Sequence, residues 1–161
     1  MARVRIGTSG WHYASWRGPF FPDGLRLKDK WARGPQTYLG VLVEDFPNMA
    51  MLIGPHTALG NIPRSIEYNV EWVTGLLRFA REHGLTRVEA TAAGVRSWTD
   101  HVKSLGEGLL SNEVDSWMTG VNRNVEGKDT RIIARYSGSA PAYRERCDAV
   151  ATGGYAELEL Q

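Results

Sequence analysis

The sequence lacks most of what marks a disulfide, metal, membrane or nucleic-acid protein. Its one cysteine, Cys147, leaves no intramolecular pair in a chain of 161 residues, and four scattered histidines show no metal-ligand spacing. No run approaches the roughly 20 apolar residues of a spanning helix. The start MARVRIGTSGWHY has neither an apolar signal core nor a small-residue cleavage site, so a cytoplasmic chain is expected. Charge of one sign is missing too. The 19 Lys and Arg offset 18 Asp and Glu and are mixed along the chain, which argues against a phosphate-binding surface and a nucleic-acid partner. What remains is a chain with 42% hydrophobic residues, the size of one ordinary domain.

Nucleotide and nucleophile motifs are missing as well, although glycine is abundant at 18 residues. Gly106-Glu107-Gly108-Leu109-Leu110-Ser111 approximates GxGxxG. Its last position is serine, however, and it closes an amphipathic helix instead of following a strand, so it reads as a frayed helix end. There is no Walker sequence. Gly7-Thr8-Ser9-Gly10 misses the GxSxG elbow by one position, and no ordered acid and histidine complete a triad. Glu82-His83 has no second histidine four positions on and reads as a solvated helix terminus.

What is present is a mixed α/β pattern. Residues 1–24 read as a short strand at Val4 to Ile6, then irregular chain rich in glycine, aromatics and proline. Strands are expected over 37–43 and over 49–53, the second buried on both faces and ended by Gly54 and Pro55. Asn61, Ile62 and Pro63 open a helix whose apolar spacing runs through Ile66, Val70, Val73 and Leu77 to a stop at Gly84. A second amphipathic helix follows Val95, Trp98, Val102, Leu105 and Leu109. Residues 111–129 read as a long loop of the functional kind. A strand is expected over 131–136. A short helix then runs from Ser139 and Pro141 through Cys147 and Val150 to Gly153-Gly154, and a last strand covers 155–160.

The segment from Leu52 to Glu67, LIGPHTALGNIPRSIE, carries the most chemistry. A strand, a glycine-containing loop and a helix start leave amide donors and a partial positive charge at the helix end, which suits a phosphate or the developing charge on a reduced flavin. On the residues alone, a capped core helix is the better account of the segment, because every helix start has such donors. His56 reads as a loop hydrogen-bonding group, and Arg64 with Glu67 as a solvated i,i+3 pair.

Four blocks in order, LKDKWARGPQTYLGV at 27–41, FPNMAMLIGPHTALGNIPRSIEYNVEWV at 46–73, DSWMTGVN at 115–122 and YRERCDAVATGGY at 143–155, resemble the carboxy-terminal part of Baeyer–Villiger-type flavin monooxygenases. The resemblance covers about residues 25–160. It implies an incomplete FAD-binding fragment of the two-dinucleotide-binding flavoprotein type, α/β with short strands and three helices. The parent enzymes use FAD, NADPH and oxygen to insert one oxygen atom beside a ketone carbonyl. The resemblance makes Gly54, Pro55, Asn61 and Ile62 cofactor neighbours, sets Leu59 on the substrate side, and aligns Trp117 with a tryptophan on a mobile loop over the nicotinamide cofactor. No catalytic residue and no metal ligand is carried over.

The family's two GxGxxG motifs, its FxGxxxHxxxWP-type fingerprint and its active-site arginine belong to regions that precede this resemblance. Residues 1–24 instead resemble the opening of an unrelated TIM-barrel-like family, with a join near Gly18 to Leu27; a single strand of that kind cannot close a barrel. The expectation is a fragment that retains neither FAD nor NADPH and is inactive alone. Two alternatives stand beside it. One is a docking module whose strands at 37–43 and 49–53 pair with a separately encoded nucleotide-binding half, and the other is a nonfunctional remnant.

Overall fold

Asn61 starts the longest helix, α2 (Ile62–Glu82), by accepting the Arg64 amide on its side chain, with proline in the first turn and His83 at the carboxy-terminal cap. The computed structural model describes residues 25–58, 60–116, 119–126 and 129–161. The expected join and segment 1–24, Leu59 and Trp117 lie outside these, apart from the join's last residues. A single turn, α1 (Leu27–Lys30), precedes α2. After it come β1 (Val88–Ala90), α3 (Ala92–Gly106), another single turn α4 (Leu110–Glu113), α5 (Ala140–Thr152) and β2 (Leu158–Leu160). Thr91 and Ser139 cap α3 and α5 as Asn61 caps α2, each accepting a first-turn amide.

The α/β class holds, with changes in the parts. The described residues carry the three expected long helices plus two single turns, so five helices replace three. The strands differ more. Segment 37–43 is a tight reversal: Leu39 and Gly40 take φ of 55° and 69°, and Tyr38 N–H donates to the Leu42 carbonyl at 2.8 Å. Its continuous apolar character comes from burial on every side, which sequence periodicity does not distinguish from a central strand. Segment 49–53 is irregular, touching the reversal through Met51 N–H to the Val41 carbonyl at 2.8 Å and turning left-handed at Ile53. Segment 131–136 contributes one isolated parallel bridge, Ala58 to Tyr136. Among the described residues the sheet has two antiparallel strands, β1 and β2, with Val88 opposite Leu160 and Ala90 opposite Leu158.

One core joins these pieces. Trp72, Leu76 and Ala80 of α2 meet Tyr143, Cys147 and Val150 of α5 and the 38–42 reversal. Two polar atoms in this core are paired: Trp72 Nε1 donates to the Cys147 carbonyl at 2.9 Å, and Tyr143 hydroxyl to the Leu39 carbonyl at 2.8 Å. Trp98 of α3 stacks on Tyr136 with centroids 5.5 Å apart, which anchors the 131–136 segment without a ladder. Burial pushes the Cys147 thiol up to about 12, so it is a core side chain and not a nucleophile.

Candidate functional site

Two neighbouring chain passages clamp the loop that leads into α2. Thr37 Oγ1 lies 3.2 Å from the Pro55 carbonyl and 3.2 Å from His56 Nδ1, while His56 Nε2 lies 3.0 Å from the Ile133 carbonyl. A carbonyl only accepts, so Nε2 carries the proton and Nδ1 is an acceptor that shares the single Thr37 hydroxyl proton with the Pro55 carbonyl. The His56 amide donates to the Ala134 carbonyl at 2.9 Å, closing a second tie to the same passage. Burial holds the His56 pKa below the usual imidazole value, with Lys103 adding to the effect and the Ile133 hydrogen bond opposing it. The expected loop hydrogen-bonding role of His56 is what the geometry gives.

Close backbone approach explains two glycines here. A Cβ on Gly40, whose φ is +69°, would stand 2.3 Å from Thr57 Oγ1 and 2.7 Å from Thr57 N. One on Gly54 would stand 2.3 Å from the Gly40 carbonyl oxygen. The loop therefore lies directly on the 38–42 reversal, and Ile53 N–H donates to Asn69 Oδ1 of α2 at 3.4 Å. This Thr37–His56–Asn69 framework has no compact sequence signature, because its members are brought together from separate passages.

Above this clamped base the rim is open. Gly54 and Pro55 are half-buried, whereas Asn61 and Ile62 are exposed, Ile62 at 46%. Among the described residues, the first turn of the helix has few free donors. Asn61 Oδ1 takes the Arg64 amide at 3.1 Å, the Asn61 carbonyl takes the Ser65 amide at 3.0 Å, and Pro63 has no N–H. That leaves the Ile62 amide and the helix dipole, which suit the polar edge of a ring; a phosphate calls for several convergent amides. The expectation of a phosphate-type anion at this helix start is corrected accordingly. Arg64 and Glu67, both exposed, form no ion pair with each other among the described residues.

The 111–129 loop is braced at its ends. Asp115 accepts from Arg131 at 2.6 Å and from Arg123 at 2.7 Å, and these two guanidinium groups, Arg131 foremost, hold its carboxyl below the usual carboxylate range. These residues line a cavity of about 430 Å³. A cavity of about 550 Å³ lies between α3 and α5, beside Trp98, His101 and Arg146. Neither includes Gly54, Pro55, Asn61 or Ile62.

No family model matches the sequence. Cyclohexanone 1,2-monooxygenase of Acinetobacter sp is 32% identical over 139 residues, which are 86% of this chain and 25% of that protein. Acetone monooxygenase (methyl acetate-forming) of Gordonia sp. (strain TY-5) is 35% identical over 141 residues, 86% of this chain and 26% of that protein. A closed crystal structure of cyclohexanone monooxygenase superposes with a TM-score of 0.81 at 32% identity, covering 88% of this chain and 26% of the other. OTEMO in complex with FAD and NADP gives 0.78 at 32% identity, with the same coverage of both chains. The chain thus spans about a quarter of the length of the relatives it matches.

Proposed function

We propose, on the premise that this chain matches one part of Baeyer–Villiger monooxygenases such as cyclohexanone monooxygenase, that it is the piece of such an enzyme bordering the flavin ring and is inactive alone. The observation that carries this reading is the contrast within one segment: His56 and Thr57 are buried and tied down, while Asn61 and Ile62 stand exposed at the head of a 21-residue helix. A loop so fixed holds its rim in one position, as a ring neighbour requires. Ile62 would lie against the ring, Asn61 would hold the helix end beside it, and the helix dipole would favour negative charge there. Gly54 and Pro55 would form the adjoining loop edge, Leu59 would face the substrate, and Trp117 would ride on the loop braced by Asp115.

Bound FAD and NADPH would supply the redox and oxygen chemistry, converting a ketone and oxygen to an ester or lactone. The grip on the cofactors' pyrophosphates would come from other polypeptide, since this rim has too few amides to provide it. Residues 1–24 would be a foreign amino-terminal segment rather than a domain, and the FAD-region piece would run over 25–161.

The test has two arms. The isolated chain, given FAD, NADPH and cyclohexanone, shows no ketone-dependent NADPH oxidation. A chimera joining residues 25–161 to the part of the Acinetobacter enzyme that precedes the match retains flavin and oxidises NADPH when cyclohexanone is added. Turnover by the isolated chain, or a folded chimera without flavin, overturns the reading.

A further inference from the structure

Of the apolar spacing that announces α2 in the sequence, Val73 packs on the core and the rest does not. Ser65, Asn69, Trp72, Leu76 and Ala80 are buried, while Ile62, Ile66, Val70 and Leu77 are 46, 40, 42 and 48% exposed. At about 100° per residue, these two sets occupy adjacent arcs centred roughly 90° apart, with no charged residue between them. Arg64, Glu67, Glu71 and Arg78 occupy the opposite side by the same count. The helix is therefore free of charge over nearly half its circumference, with Ser65 and Asn69 the polar residues of that arc, and it buries only one part of it. Leu52, 49% exposed in the loop that Ile53 ties to Asn69, adds to the same kind of surface.

We propose that the Ile62–Ile66–Val70–Leu77 stripe is the surface on which the nucleotide-binding polypeptide of the parent enzyme type docks. The proposal rests on the flavin-bordering reading and adds where the two pieces meet. Three observations select this occupant. In the matched structures the same fold forms 26% of a larger chain, so each has a further body to continue into. The stripe adjoins the core arc with no charged residue between them, which an ordinary solvated helix face does not show. It also begins at Ile62, so a partner seated on it is brought to the rim where the flavin ring is proposed to lie. Docking by a helix face replaces the sequence expectation of pairing through strands 37–43 and 49–53, which are not strands.

The experiment co-expresses the full tagged chain with the part of Acinetobacter cyclohexanone monooxygenase that precedes the match, and measures capture, flavin content and elution volume. The wild-type chain elutes as a monomer when alone and captures the partner. Ile66→Asp/Val70→Asp/Leu77→Asp lowers capture at least about tenfold, while circular dichroism and the urea midpoint stay near wild type, as befits exposed positions. Val114→Asp/Val125→Asp, at exposed residues of the 111–129 loop, captures as wild type. Failure of wild-type capture, equal loss in both variants, or a wild-type dimer that the helix variant abolishes overturns the docking proposal. A captured complex without flavin leaves docking standing and sinks the flavin-bordering reading instead, so the two failures are distinct.

Discussion

His56 shows how one residue fixes a functional loop. It is 1% exposed, takes φ +70°, and ties its loop to two passages, one at Thr37 and one at Ile133 and Ala134. Its lowered pKa means that the folded protein favours the neutral ring. The unfolded chain binds more protons just below the ordinary value of about 6.5, so this contribution is complete above that pH and is lost as pH falls below it. Urea unfolding at pH 7.5 and 5.5 is expected to show a lower midpoint at the acid end. His56→Ala, which leaves the Ile133 carbonyl short of a partner and keeps a left-handed backbone, costs about 1–3 kcal/mol at pH 7.5. The variant also loses part of the pH dependence; an unchanged midpoint and slope would refute this role. The sequence identified His56 as a loop hydrogen-bonding residue, but not its partners, since Thr37 and Ile133 are 19 and 77 positions away.

At the scale of elements, capped helices were legible and so was the last strand, expected over 155–160 and found as β2, whereas the other strands were not. Asn61, Thr91 and Ser139 each stand where a side-chain oxygen meets a first-turn amide, a signal confined to three or four consecutive residues. Asn61→Ala is expected to lower the unfolding free energy by about 1 kcal/mol through loss of the Arg64 amide bond, measured by urea denaturation. Asn61→Asp, which keeps the cap acceptor, restores most of it. The apolar run at 37–43 was misread because burial writes the same letters whether a chain is laddered or coiled, while 49–53, expected to be buried on both faces, has no buried residue and leaves Leu52 49% exposed, and 131–136 buries only Tyr136. Strand β1 was missed for the converse reason. Val88–Ala90 is three residues long, and its pairing is continued by Thr86 and Arg87 amides donating to the Gln161 carbonyl, at the far end of the sequence. The face of α2 was misassigned because the sequence contains two apolar arcs, and only tertiary packing decides which one the described residues cover.

At the scale of the whole molecule, the four sequence blocks that carried the family resemblance span the parts that fold together here, with the 46–73 block supplying both the clamped loop and α2. That the chain matches only part of its relatives was legible in the missing glycine motifs. Its physical expression was not: an exposed aliphatic stripe beside a complete core, and a helix start whose amides are largely consumed by its own cap.

The central claim, that the rim from Gly54 to Ile62 borders a flavin ring, is tested most directly by amide hydrogen exchange on the chimera with FAD bound and stripped. The account predicts slowed exchange on FAD binding at Gly54, Asn61 and Ile62, against unchanged exchange at the buried strand pair 88–90 and 158–160. Protection confined to the grafted nucleotide-binding part, with Asn61 and Ile62 exchanging at the same rate in both states, would contradict it.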